Sequence, residues 1–95
     1  MADQQEEKQS ALELIDYPSQ FPLKVLGIQA TQFEDTVLEL VKARSPKSEY
    51  FEVTRRSSKA GKYMALTVTF TVYSQKQLED IYQDLYECDH VIMSL

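Results

Sequence analysis

Strict alternation of apolar and polar side chains over residues 63–73 constrains the fold of this chain more than any other feature of its sequence. Successive side chains of a β-strand point to opposite faces, so a strand with one buried face alternates between the two residue types. One face of this segment is apolar and holds Met64, Leu66, Val68, Phe70 and Val72. The other face holds Tyr63, Ala65, Thr67, Thr69, Thr71 and Tyr73. The pattern predicts a long strand in a sheet that has one face on the core and the other face free.

Two segments have the pattern of amphipathic helices, and each opens with a capping box, in which side chains satisfy the free amides of a helix start. The first box is Thr31-Gln32-Phe33-Glu34, and the apolar residues after it recur at helical spacing: Phe33, Val37, Leu40 and Val41. Pro46 ends this helix. The second box is Ser74-Gln75-Lys76-Gln77, followed by the stripe Leu78, Ile81, Tyr82 and Leu85.

Three further segments are predicted to be strands. Residues 21–29 are rich in apolar and β-branched side chains, and Gly27 near their end favours a bulge or a close backbone approach. Residues 49–54 alternate, with Phe51 and Val53 on one face. Residues 90–95 place Val91, Met93 and Leu95 on one face. Ahead of these, Leu12 and Ile15 predict one helical turn that Pro18 stops.

The resulting order, strand-helix-strand-strand-helix-strand, predicts an α+β fold of the ferredoxin-like type. Right-handed crossovers place both helices on one face of a four-stranded antiparallel sheet of order 4-1-3-2. With 95 residues the chain suits one domain, predicted over residues 11–95 after a disordered acidic tail at residues 1–10. The predicted core comprises Phe21, Leu23, Val25, Phe33, Val37, Leu40, Val41, Val53, Leu66, Val68, Phe70, Leu78, Ile81, Leu85, Val91 and Met93.

Charge is unevenly distributed along the chain, whose formal net charge is −5. The segment from Lys42 to Lys62 holds seven basic and two acidic residues, whereas the rest of the chain is strongly acidic. This polarity favours short anions or acidic protein surfaces over long polyanions, which a net negative protein repels. No apolar run approaches the roughly 20 residues of a membrane span, and the N-terminus does not have the pattern of a signal peptide. One cysteine agrees with a reducing compartment, so we expect a cytoplasmic protein.

Two segments of the chain resemble sequence motifs of the YbeD family of small bacterial proteins. "LELIDYPSQFPLKVLGIQ" matches the family's L-x-x-(F/Y)-P-x-x-F-x-x-K-V-(I/M/L)-G opening, and "SSKAGKY" matches its S-S-K-G-x-Y hairpin with Ala60 as an extra residue. The resemblance runs from about Leu12 to Leu95. It implies a ferredoxin-like fold similar to ACT regulatory domains, a bacterial cytosolic origin and no established activity.

The basic hairpin "TRRSSKAGKY", residues 54–63, is the leading candidate for a binding site. Arg55, Arg56, Lys59 and Lys62 offer a cationic tip to an acidic protein surface or a small anion. The alternative is a solvated hairpin, in which the serines and Gly61 supply turn chemistry and the cations protect a sheet edge. Similarity to ACT domains adds Gly27, after the first strand, as a position near an effector site. The candidate ligand- or partner-binding residues are Gly27, Arg55, Arg56, Ser57, Ser58, Lys59, Lys62 and Tyr63.

These residues bear on three classes of function. An acylphosphatase-type hydrolase needs an asparagine, which the chain does not contain. Cys88 fits a small buried thiol at the end of the helical stripe, and His90 fits a turn into the last strand, better than the two fit a nucleophile and its base. An RNA-recognition motif needs aromatic residues on the free sheet face, where only Tyr63 is well placed, and the pI is about 4.8. The sequence favours a non-enzymatic regulatory or binding module that acts through a protein partner or small anionic effector. We expect no cofactor, no metal and a monomer or weak homodimer.

Overall fold

A computed structural model describes residues 16–28 and 31–94 and shows four strands and two helices within them. The strands are β1 (Ser19–Ile28), β2 (Phe51–Ser57), β3 (Tyr63–Val72) and β4 (Val91–Ser94). The helices are α1 (Thr31–Ala43) and α2 (Gln75–Tyr86). The predicted tail at residues 1–10, the turn at Leu12 and Ile15, the side chain of Thr31, and Leu95 lie outside the described residues.

The sheet has the order β2-β3-β1-β4, and each neighbouring pair is antiparallel. This order and the sequence of elements confirm the predicted ferredoxin-like α+β fold. The central strands β1 and β3 pair along their full length, from Ser19 opposite Val72 to Ile28 opposite Tyr63. β2 continues to Ser57, three residues beyond the predicted end of this strand, so residues 54–57 of the basic hairpin are strand and not loop.

The core lies between the helices and one face of the sheet. Twelve apolar residues form a single buried cluster: Leu23, Val25, Phe33, Val37, Val41, Leu66, Val68, Phe70, Val72, Leu78, Ile81 and Leu85. Val72 was missing from the predicted core. Four predicted core residues are half-buried against the cluster: Phe21, Leu40, Val53 and Val91. Burial of so much apolar surface on one side is the main stabilising term of the fold.

Met93 is the one predicted core residue that lies outside the core in the described part of the chain, since it is 51% exposed. The reason is a bulge in the pairing of β1 with β4: Leu26 lies opposite Met93, whereas the next residue, Gly27, lies opposite Val91. Ile92 is therefore an extra residue, and it breaks the alternation that would have kept Val91 and Met93 on one face. Met93 consequently lies on the face that no described helix covers, which we call the open face.

Candidate binding surface on the open face

The basic hairpin closes through its own backbone groups. The Ser58 amide donates to the Tyr63 carbonyl at 2.9 Å, and the Gly61 amide donates to the Ser58 carbonyl at 3.0 Å. The Tyr63 amide donates to Ser58 Oγ at 3.2 Å. Gly61 has a φ of 71°, which favours glycine at this turn. These amides are used within the turn and do not converge on a ligand.

Arg55 and Arg56 lie on opposite faces of the sheet, because successive residues of β2 alternate. Arg55 faces α1, where its Nε and Nη2 donate to the two carboxylate oxygens of Glu34 at 2.8 and 2.7 Å. The hydrogen bonds from Arg55 lower the pKa of Glu34, and the same carboxylate raises the pKa of Arg55. The structure thus separates Arg55 from the cationic tip in which the sequence had grouped it.

Arg56 begins a row of side chains that crosses all four strands on the open face. Arg56 lies opposite Ala65 of β3, Ala65 lies opposite Leu26 of β1, and Leu26 lies opposite Met93 of β4. Three of these four side chains are apolar, although the face is not part of the core. Because the side chain of Ala65 is small, the surface of the sheet is depressed between Arg56 and Leu26.

Two adjoining hollows flank this row and share Leu26 and Ala65. The first, of about 310 Å³, lies toward the hairpin and is lined by Leu26, Arg56, Ser57, Ser58, Lys59, Tyr63 and Ala65. The second, of about 210 Å³, lies toward β4 and is lined by Lys24, Val25, Leu26, Ala65, Leu66, Thr67 and Met93. Together they form a shallow groove with an apolar floor, which we call the open-face groove.

Cations border the open-face groove. Lys24 and Arg56 line it from the sheet and Lys59 from the hairpin. Among the described residues, none of these three side chains has a carboxylate within ion-pair distance. Lys62 adds a further exposed cation to the turn. Five of the predicted site residues therefore line one hollow, namely Arg56, Ser57, Ser58, Lys59 and Tyr63, while Lys62 is beside them in the turn.

Gly27 lies apart from this groove, on the buried side of the sheet. A Cβ at this position would overlap the ring of Phe33 and would lie 2.6 Å from the His90 carbonyl oxygen. The glycine therefore permits a close approach of α1 and of the turn before β4 to the backbone of β1. This packing explains the residue without a ligand.

The remaining candidates for chemistry lie in the turn between α2 and β4. Cys88 and His90 are half-buried, and the His90 carbonyl accepts the Ile28 amide at 3.2 Å. Within residues 16–28 and 31–94, no group of three or more histidine, cysteine, aspartate or glutamate side chains could hold a metal ion. In the same part of the chain, neither helix has the length and apolar character that crossing a membrane requires.

The sequence model of the DUF493 family, described as a protein of unknown function, matches residues 12–95. The chain belongs to this family. Two bacterial relatives, each described as a UPF0250 protein, are similar to it over most of their length. One from Neisseria gonorrhoeae is 39% identical over 79 residues, which cover 83% of this chain and 87% of the relative. One from Bordetella parapertussis is 42% identical over 73 residues, which cover 77% and 80%. These matches confirm the resemblance that the opening motif and the hairpin indicated.

The solution structure of protein HP0495 from Helicobacter pylori has the same fold. It superposes with a TM-score of 0.68 at 22% sequence identity, covering 85% of this chain and 85% of that one. The family's description assigns no activity.

Proposed function

We propose that this protein is a non-enzymatic binding module whose open-face groove takes an acidic segment, with interspersed apolar side chains, from a protein partner. The observation that carries the proposal is the row Arg56, Ala65, Leu26 and Met93, which joins an apolar floor to a cationic border across the whole sheet. An apolar floor with few charged groups at its border is the usual composition of a recognition surface.

A protein segment fits this groove better than a small anion does. Small anions are held where several donors converge, as in a nest of backbone amides. Here the Ser58 and Gly61 amides bond within the hairpin, and the Arg55 guanidinium is held by Glu34. The free cations lie around an elongated apolar floor instead, which a chain with several contact points can follow.

The same surface gives little support to RNA binding. Sequence-tolerant binding of single strands depends on aromatic rings on which bases stack. Tyr63 is the aromatic residue that lines the groove, whereas Phe51 and Phe70 stack on each other on the core side at 6.4 Å between centroids. Tyr73, on the same face as Tyr63, lies at the far end of β3, and its hydroxyl donates to the Lys47 carbonyl at 2.8 Å.

The composition of the groove also supports a role without catalysis. The described residues that line it have the hydroxyl groups of Ser57, Ser58, Tyr63 and Thr67, and none of them is a histidine or a carboxylate that could act as a base. In this proposal the domain regulates its partner by occupying the partner's acidic segment. The single, unpaired cysteine supports a cytoplasmic location for that role.

Binding of a labelled synthetic peptide in which glutamate alternates with leucine tests the proposal. We expect weak binding at low salt, with NMR shift changes concentrated at Leu26, Arg56, Ala65 and Met93. The double variant Arg56→Ala/Lys59→Ala should weaken binding about three- to tenfold, because each rim charge contributes a fraction of a kcal/mol to about 1 kcal/mol. The loss should shrink as salt rises, since exposed charges are screened.

The matched control is Lys47→Ala/Lys76→Ala, which removes the same charge from positions outside the groove. Equal weakening by the two double variants would show a general charge effect and would contradict the site. Shift changes confined to the helices would also contradict it. Tighter binding of a single-stranded oligouridine at the same residues would replace the proposal with RNA binding, and saturation by inorganic phosphate would replace it with a small-anion site.

A further inference from the structure

The two edges of the sheet differ in how they are protected against pairing with another strand. β2, at one edge, carries the charged residues Glu52, Arg55 and Arg56. β4, at the other edge, carries no charge, and its Ile92 and Met93 are each 51% exposed. Charged side chains on an edge strand discourage edge-to-edge association, so β2 has a protection that β4 lacks. On β4 only the shortness of the strand and its bulge at Ile92 limit pairing.

A cleft beside β4 extends this uncharged surface onto α2. The cleft has a volume of about 470 Å³ and lies between the last turns of α2 and the edge strand. Tyr82, Leu85 and Tyr86 line it from the helix, and the four residues of β4 line it from the sheet. Tyr86 is 85% exposed. None of the described residues that line the cleft is charged, although 26% of the chain's residues are.

We propose that β4 pairs with β4 of a second copy of this chain, antiparallel about a two-fold axis. Every strand pair within the sheet is antiparallel, so this pairing would continue an antiparallel sheet across the seam, with the ladder interrupted at the bulge at Ile92. A two-fold interface brings each surface against itself, which an uncharged apolar surface permits without like-charge repulsion. The exposed side chains of Ile92 and Tyr86 lie beside this seam and lose contact with water when it forms.

The dimer is expected to be weak. β4 has only four residues, so the strand offers few backbone hydrogen bonds, and a stable interface usually buries about 800 Å² on each partner. The net charge of −5 on each copy also opposes association. Dissociation in the range of about 10 µM to 1 mM follows from an interface at the small end of the scale.

Sedimentation equilibrium across this concentration range tests the proposal. The unmodified chain should show a monomer–dimer equilibrium, and Ile92→Lys should raise the dissociation constant about tenfold or more, because it places a charge on both sides of the seam. The exposed position of Ile92 lets the variant fold, which far-UV circular dichroism verifies. Tyr50→Lys is the matched control, since Tyr50 is 40% exposed and directly precedes β2 at the opposite edge.

Hydrogen exchange adds an independent measurement. The backbone amides of β4 that face away from β1 should exchange more slowly as the protein concentration rises, and those of β2 should not. A chain that stays monomeric up to about 1 mM would overturn the proposal. It would equally be overturned by a dimer that survives Ile92→Lys and dissociates in Tyr50→Lys, which would place the seam at β2.

Discussion

Gly27 and Gly61 meet different physical demands. Gly61 supplies a positive φ of 71° in the hairpin turn, and a Cβ there would meet nothing within 4 Å. Gly27 lies under the ring of Phe33 and beside the His90 carbonyl, so its demand is space. Gly61 is therefore required by the backbone conformation of the turn, and Gly27 is required by the close packing between β1, α1 and the turn before β4.

Gly27→Ala is expected to lower the free energy of unfolding by about 1–3 kcal/mol, the usual range for overpacking a buried site. Urea denaturation measures the change. In a Phe33→Leu background the cost should fall, because a smaller side chain relieves the overlap, and the difference appears as a coupling energy. Gly61→Ala, the control, should cost the same in both backgrounds. The packing role would be contradicted if Gly27→Ala lowered the free energy of unfolding by the same amount with Phe33 as with Leu at this position.

Polar contacts fix the helices relative to the sheet and to each other. Arg44, just after α1, donates to both carboxylate oxygens of Asp84 in α2 at 2.7 and 3.1 Å. The Ser74 hydroxyl accepts the Gln77 amide, which confirms the N-cap predicted for α2. The Gln77 side chain accepts the Tyr73 amide and donates to the buried Ser45 hydroxyl. The capping sequence of α2 therefore also joins the two helices.

The Glu34–Arg55 pair, which ties α1 to β2, predicts a pH dependence. Hydrogen bonds from Arg55 lower the pKa of Glu34 from its ordinary value of 4.5, although burial partly opposes the shift. A carboxyl whose pKa is lower in the folded state stabilises the fold above its unfolded pKa, and the contribution is lost as pH falls through the folded pKa. Thermal unfolding should therefore show Glu34→Gln to be less stable than the unmodified chain at pH 7, with the difference vanishing in acid.

Glu39→Gln is the control for this measurement, because Glu39 is an exposed residue of the same helix without an ion pair among the described residues. The stability curve of that variant should run parallel to the unmodified one across the acid range. A Glu34→Gln curve that also runs parallel would mean that the ion pair does not contribute in solution.

Local sequence patterns were sufficient to predict the helices and strands. The bulge in β4 and the composition of the open face depend on how the strands pair, which local patterns do not reveal. The alternation of β3, the helical stripes and the capping residues each depend on neighbours within a few positions, so the sequence reveals them. The bulge at Ile92 depends on how β4 meets β1, and it moved Met93 from the predicted core to the open face. The row from Arg56 to Met93 likewise depends on the register of four strands. The sequence identified its cations but could not identify the apolar residues beside them.

Charge follows the two sides of the molecule. The two helices together hold six acidic and two basic residues, whereas residues 51–72 hold one acidic and four basic residues. Arg55 is bound to Glu34 on the helical side of the sheet. The remaining cations of residues 51–72 lie on the open face and the hairpin, and Glu52 is the one acidic residue in that segment. One side of the sheet carries the core, and no described helix covers the other side.

This division predicts that substitutions at two adjacent residues of β3 change the free energy of unfolding by very different amounts. Phe70 is fully buried and stacks on Phe51, so Phe70→Ala should lower the free energy of unfolding by about 3–5 kcal/mol through lost burial and a residual cavity. Thr69 points to the open face between Pro22 and Glu52, so Thr69→Ala should change it by less than about 1 kcal/mol. Urea denaturation of both variants measures the difference directly. A loss below about 1 kcal/mol for Phe70→Ala would invert the assignment of faces, because a strand displaced by one residue exchanges every side chain between the two sides of its sheet.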